Sequence, residues 1–280
     1  MTTMSGPSIA LVSVHYYPDY QRRNLREIER LKRVVRIDRH VGVLNGGSES
    51  IEGISDSNTR WVRHDNEGQE FGAYQRGLDV LLEGNRPDWV IFMNDTLGTH
   101  ARLPNGVLRR LRWAIRSSGC VLPSVTGIVD NQFQSVQIRG HRGSRHVRSH
   151  ALALNQQAIK TLDGRIRVPH IDSLVAGGCT SQTFFSEDCD PNLQLRLLSF
   201  LFEPGPYKWY RATPLTADNC AAMSRKAQAI LQEYYLSFRL ESASSIFIDL
   251  RASTLPDKVR DAIETQWFFT TSRGSIREAR

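Results

Sequence analysis

The feature that most constrains this chain is a short run, Trp89-Val90-Ile91-Phe92-Met93, that stops abruptly at Asn94-Asp95-Thr96-Leu97-Gly98. An unbroken apolar run of this length suits a strand buried on both faces of a parallel sheet. Open α/β sheets place ligands at the carboxyl ends of such strands, so an acidic cluster released there predicts a site as well as a core. Just upstream, His64-Asp65-Asn66-Glu67-Gly68 reads as a polar turn feeding a helix over Phe71 to Leu82. Two segments therefore bring carboxylates and Asn side chains to one rim.

The rest of the chain builds around that strand. Ile9 to His15 is a β-rich run after a Gly-Pro pair, and it predicts the first strand. Leu25, Ile28, Leu31 and Val35 have helical spacing; Asp38 to Leu44 predicts a second strand ending in Asn45-Gly46-Gly47-Ser48, a turn signal. Thr59 to Val62 predicts a short third strand before the helix and the central strand. The order β-α-β-β-α-β implies an α/β fold, a mostly parallel Rossmann-like sheet flanked by helices. Val107 to Ser117 is a basic amphipathic helix, and Gly119 to Val125 a further strand. Ile138 to His150, with Arg139, Arg142, Arg145 and Arg148, reads as a mobile basic loop. Strand and helix return over Ser149 to Leu162; Val168 to Thr183 is irregular. Leucine spacing predicts a helix over Pro191 to Leu201, and Tyr207 to Thr213 is an aromatic stretch suited to the sheet edge. A long helix follows over Ala217 to Leu240. The expected organisation is one main unit over residues 1–212 and a helical C-terminal appendage over 213–280.

Composition narrows the class. Length 280 suffices for one large unit or two modest ones. A net charge of +7 favours an anionic partner without choosing among a nucleotide, a nucleic acid and an acidic membrane. The start, Met1 to Pro7, lacks a signal-peptide pattern, and no apolar run reaches the roughly 18–20 residues of a membrane span. Cys120, Cys179, Cys189 and Cys220 form no Cys-x-x-Cys pair, so a reduced, cytoplasmic chain is expected.

At Asn66-x-Gly68-x-Glu70-Phe71-Gly72-Ala73-Tyr74, followed by Trp89 to Thr96, the chain resembles bacterial GT-A-type glycosyltransferases, and within them the rhamnan-synthesis F, or rhamnosyltransferase-like, group. Glu70 stands where that group often has Asp, and the order of elements from Ile9 to Arg211 also fits. Ser224 to Leu240 looks like the helix that follows the catalytic part in some such proteins. The resemblance implies a GT-A-like sheet and transfer of a sugar from a nucleotide donor to a glycan or lipid-linked acceptor in surface polysaccharide synthesis.

That reaction releases a diphosphate whose charge must be stabilised, and Mg²⁺ or Mn²⁺ suits oxygen ligands for the purpose. The resemblance puts Asp95 in the metal role, with Asn94 or Thr96 as helpers; the motif lacks the second carboxylate of Asp-x-Asp. The same three residues read equally well as the cap of a turn. Donor contacts are expected from Ser13, His15 and Tyr16 after the first strand, Asn45 and Gly46 after the second, and Asp65, Asn66 and Gly68 after the third. Tyr74 and Asn94 complete that set. Such Gly- and Asn-rich segments are also simply turns. For the general base, Glu187 or Asp188 in Phe184-Phe185-Ser186-Glu187-Asp188 matches the Glu-Asp region of relatives, with Asp172 as the alternative. Acids at the start of a helix have a plainer explanation in the helix dipole.

The Arg-rich stretch suits a phosphate or a solvated surface equally. His141, His146 and His150 lack zinc-site spacing. Ser-nucleophile, Walker A and His-Glu-x-x-His motifs are absent, and no nucleic-acid partner is expected, since no RRM, KH or helix-turn-helix pattern accompanies the charge. Two other readings stay open, a non-catalytic GT-A-like domain that binds glycan or a partner, and peripheral contact with the inner face of a membrane through the Val107–Ser117 helix.

Overall fold

The computed structural model describes residues 6–46, 59–118, 121–206 and 208–277, with backbone alone at residue 133 and at 268–277. Gly47, Ser48, Gly119, Cys120 and Tyr207 lie outside the described residues.

The chain runs β1 (Ile9–His15), α1 (Pro18–Val34), β2 (Arg39–Asn45), β3 (Thr59–His64), α2 (Gln69–Leu82) and β4 (Trp89–Asn94). It continues with α3 (Asn105–Ser117), β5 (Ser124–Ile138), β6 (His141–Asn155), α4 (Gln156–Thr161), a 3₁₀ turn at Pro169–Leu174 and α5 (Pro191–Phe202). It closes with α6 (Cys220–Ser242), β7 (Ile246–Asp249) and α7 (Leu255–Arg277). The strands form one sheet in the order β3-β2-β1-β4-β6-β5-β7. β3, β2, β1 and β4 pair in parallel, β6 runs antiparallel to β4 and β5, and β7 is parallel to β5. This is the expected mostly parallel, Rossmann-like mixed sheet flanked by helices.

Strand alternation decides the two cores. Ala10, Val12, Val14, Val90 and Phe92 face α2, α4 and α6, where they meet Phe71, Tyr74, Leu78, Ala158 and Leu236. Ile9, Leu11, Trp89, Ile91 and Met93 point the other way, to Ile28 and Leu31 of α1 and Val107, Leu108 and Leu111 of α3. The residues of β4 are buried throughout, as an apolar run filling both layers must be.

Three departures from the sequence reading matter. The stretch 138–150 is no loop, because His141–Asn155 is a single long strand hairpinned onto β5 through Arg139 and Gly140. Its alternation was hidden because one edge faces polar helix residues rather than solvent. That hairpin continues beyond the carboxyl end of β4, whose last pairing is Met93 with Ala151. A third core lies under it, where Val136 and Ile138 meet Leu193, Leu197, Ile230 and Phe238 of α5 and α6. The region after residue 213 is largely helical, but it also carries β7 on the sheet edge, and Leu236 and Leu240 of α6 enter the first core. The aromatic stretch near 209 packs against α5 rather than the sheet edge, the Trp209 N–H donating to the Phe200 carbonyl at 3.1 Å.

Candidate functional site

The carboxyl ends of β1 and β4 meet at Asp95, and the end of β2 lies on the other side of β1. The Asp95 side chain is 3% exposed, and its Oδ2 accepts the backbone N–H groups of Tyr16 at 2.7 Å and Tyr17 at 2.6 Å. One carboxylate thus ties the end of β4 to the turn between β1 and α1. Burial pushes its pKa up from 3.8 to about 6, against the pull of those N–H groups, and the Glu70 charge adds to the rise. Asn94 beside it folds the next turn, its Oδ1 accepting from the Thr96 N–H at 3.2 Å and the Thr96 hydroxyl at 2.5 Å. The turn-capping reading of Asn94 to Thr96 is therefore realised, and a charged group stands in the same turn.

Around Asp95 lie buried polar atoms with no hydrogen-bond partner. Buried polar groups are normally satisfied, so such atoms call for an explanation. Asn45, 2% exposed at the end of β2, donates to the Asn66 side chain at 2.8 Å and to the Gln69 carbonyl at 3.3 Å, while its Oδ1 is unpartnered. Asn24 of α1 donates to the Asn94 carbonyl at 2.9 Å, and its Oδ1 too lacks a partner. His15 is fully buried; its Nε2 shares a 2.9 Å bond with the Ser13 hydroxyl, its Nδ1 has no partner, and burial lowers its pKa to about 4. Ser13 also bonds His40, so both residues lie beneath the rim. Tyr16 is exposed at the surface.

The turn into α2 forms the neighbouring wall. Asn66 and Gly68 both adopt positive φ, at 71° and 69°. A Cβ on Gly68 would lie 1.9 Å from Nε of Arg167, so only glycine suits this close approach. Arg167 bridges Glu67 at 3.1 Å and Asp172 at 3.0 Å, which fixes the turn against the 3₁₀ segment. Asp65 is exposed and accepts the Glu67 N–H at 2.9 Å. That bond and His64 hold its carboxyl below the usual range.

Tyr74 lies in the first hydrophobic core. It is 1% exposed, and its hydroxyl donates to the Ser149 carbonyl at 2.7 Å, pinning α2 to β6. Its pKa is pushed well up by burial, with the negative charges of Glu70, Asp95 and Glu233 adding to the rise. Ser149 organises two of them, its N–H donating to Glu233 at 2.6 Å and its hydroxyl to Glu70 at 3.4 Å. Behind Glu233 stands His146, with Nε2 at 3.4 Å from Oε1 and burial lowering its pKa.

Glu187 and Asp188 stand elsewhere. Both are exposed, and Asp188 pairs with Arg139 at the hairpin turn at 3.0 Å. From Ser149 to His141 the strand climbs eight residues, about 26 Å at ~3.3 Å per residue. These acids are not brought to Asp95. Asp172 is engaged by Arg167 and by the Gln232 side chain at 2.9 Å. The basic residues of the hairpin are likewise partnered: Arg148 with Asp130, Arg145 with Glu241, and Arg142 with Ser135. Sequence reasoning gave Glu233 no role, because it stands in the Ser224 to Leu240 helix with other polar residues, Gln232, Ser237 and Arg239.

Among the described residues no group of three His, Cys, Asp or Glu side chains could hold a metal. Asp95 has one oxygen committed to two N–H groups, so it can offer a cation a single oxygen. That suits Mg²⁺ or Mn²⁺ carried mainly by substrate phosphates and water, and does not suit a cage built by the protein.

No family model matches the chain, and no curated protein matches it. Solved structures do align. A 4-diphosphocytidyl-2C-methyl-D-erythritol synthase from Anaerococcus prevotii is 11% identical, covering 94% of this chain and 100% of that one, with a TM-score of 0.41. A mannosyltransferase from Pyrobaculum calidifontis in complex with GDP-Man and Mn²⁺ is 11% identical, covering 94% and 81%, with a TM-score of 0.37. Values this low carry no residue or activity across.

Proposed function

We propose that the protein is a glycosyltransferase that moves a sugar from a nucleotide-sugar donor to a glycan or lipid-linked acceptor. The observation that carries this reading is Asp95, a buried carboxylate with its pKa pushed up to about 6 at the end of β4, beside unpartnered atoms of Asn45, Asn24 and His15. A perturbed acid in a polar recess at the strand ends of an α/β sheet is the expected setting of a ligand site. Residues 1–212 would carry the donor site, and 213–280 would complete the sheet and supply α6. Bacterial surface polysaccharide as the product, and rhamnose as the sugar, are the finer form of the same reading and rest on the Asn66 to Tyr74 resemblance.

In this reading Asn45, Asn66 and the backbone at Gly46 and Gly68 hold the nucleoside end. Ser13 and His15 support the rim from beneath, and Tyr16 and Asp65 border it. A divalent ion held through one oxygen of Asp95 would supply charge to the departing diphosphate. Glu233 replaces Glu187 and Asp188 as the general base. Its carboxylate takes the acceptor hydroxyl proton as that oxygen bonds the anomeric carbon and the bond to the diphosphate breaks. Ser149 fixes its orientation through the 2.6 Å N–H bond.

No described helix is long and apolar enough to cross a membrane. Peripheral contact, for a cytoplasmic protein at the inner membrane face, is proposed for α3, where Trp113 is 64% exposed beside Arg109, Arg112 and Arg116. The alternative function is a non-catalytic glycan- or partner-binding domain, favoured by the single-carboxylate motif. A thermal-shift panel of UDP-, dTDP- and GDP-sugars, with and without Mn²⁺ or Mg²⁺, separates the two. A nucleotide that stabilises the fold, with the effect lost in Asp95→Ala, supports the transferase; a folded sample silent to every donor supports the binding domain.

A further inference from the structure

A run of aromatic side chains begins at the Asp95 turn, with the Tyr16 ring against Gly46, and extends from there to Tyr210. The Tyr16 and Tyr17 rings meet edge-on at 4.7 Å, and Tyr17 and Tyr20 at 4.7 Å. Tyr20 meets His100 at 5.3 Å, its hydroxyl 3.0 Å from Nε2, and His100 meets Tyr210 at 5.5 Å. Four of these side chains are exposed, Tyr16 at 37%, Tyr17 at 44%, Tyr210 at 67% and His100. Arg211 closes the far end over the Tyr210 ring at 5.3 Å.

Sequence places these rings on three separate segments, so local folding does not explain their meeting. They line none of the three hydrophobic cores. Contiguous exposed aromatic surface of this kind marks a binding site. Each ring pairs an apolar body with a hydroxyl or ring nitrogen, which matches a pyranose with its C–H faces and its hydroxyl rim. A lipid tail would offer nothing to those polar tips. The run is too long for one nucleobase. Its inner end is the backbone that Asp95 holds.

We propose that the Tyr16–Tyr17–Tyr20–His100–Tyr210 arc is the acceptor subsite and binds several consecutive sugar units of a glycan chain, delivering its end to the Asp95 recess. The assignment of the inner end as the place of transfer rests on the glycosyltransferase reading; the sugar-binding surface does not.

The test is titration of the full chain, by intrinsic fluorescence, with hexasaccharides of glucose, mannose, N-acetylglucosamine and rhamnose, and with oligothymidylate. The expected result is saturable binding of at least one hexasaccharide. Tyr210→Ala and Tyr17→Ala should weaken it about tenfold or more each, and Tyr210→Phe should retain it. Tyr210→Ala should leave the thermal shift by nucleotide-sugar unchanged. Binding of no hexasaccharide, equal binding by the Ala variants, or binding of oligothymidylate alone would overturn the proposal. Failure of the transferase reading shows separately, as a wild-type protein that binds the hexasaccharide but responds to no nucleotide-sugar; the arc then stands as the site of a glycan-binding domain.

Discussion

The two ends of the β5–β6 hairpin carry similar residue types in opposite states. At the tip, Arg139 meets Asp188, and Arg142 meets Ser135, all near solvent and each satisfied by a neighbour. At the root, Ser149 holds both Glu233 and Glu70, His146 keeps an unpartnered Nδ1, and burial raises the Asp95 pKa. Charge density does not separate the two ends; desolvation does. Exposed pairs screen each other and contribute little, whereas groups held out of water without full partners store the free energy that a ligand can release.

The sharpest way to break that comparison is Glu233→Gln, which should lower kcat about 10²–10⁴-fold while leaving the donor thermal shift intact. Full activity would remove Glu233 from the chemistry. Asp95→Asn should lower turnover about 10²–10³-fold and yet stabilise the unliganded fold. Asp95 has a folded pKa near 6 against 3.8, so its neutral form is favoured in the fold, and the stability that brings is lost as pH rises from about 4 through 6. The stability of Asp95→Asn relative to wild type, read by urea unfolding, should therefore increase across that window and level off by up to about 3 kcal/mol. A difference independent of pH would place the strain elsewhere.

A smaller effect belongs to the wall of the recess. Gly68→Ala should destabilise by about 1–3 kcal/mol, from a left-handed backbone at φ 69° and a collision with Arg167, and should weaken donor binding by shifting Asn66; unchanged urea midpoint and donor shift would show that Arg167 simply moves aside. The smallest is at the tip. Arg139→Ala and Asp188→Asn should each change stability by less than about 0.5 kcal/mol and leave turnover as it was. A large loss of activity there would return the general base to the Glu187–Asp188 turn.

The parallel half was legible in the sequence because its signals are local. Trp89 to Met93 is apolar throughout since both faces are covered, and Asn45, Asn66 and Gly68 announce turns that the structure contains. The hairpin was not, because the first part of β6 reads as a polar stretch rich in Arg and His whose partners, Glu241, Glu233 and Asp130, lie on other segments. The same holds for the site. Asp95 sits at a strand end that its own neighbours define, whereas Glu233 comes to it from α6 only through Ser149, and Tyr210 meets Tyr20 only through His100. Tyr74 misled for the opposite reason, since its place beside a Gly-rich turn suggested a ligand and its ring fills the core.

The bond from Asp95 to the N–H groups of Tyr16 and Tyr17 bears on how such a protein can be varied. Loops at strand ends are ordinarily exchangeable parts, each altered without regard to the next. Here the turn after β1 and the turn after β4 share one buried carboxylate. A graft that replaces residues 16–17 with another loop geometry strands that carboxylate without its donors, a loss of about 1–3 kcal/mol for a buried acceptor left unsatisfied. The two turns form one inherited module, and chimaeras should carry them together.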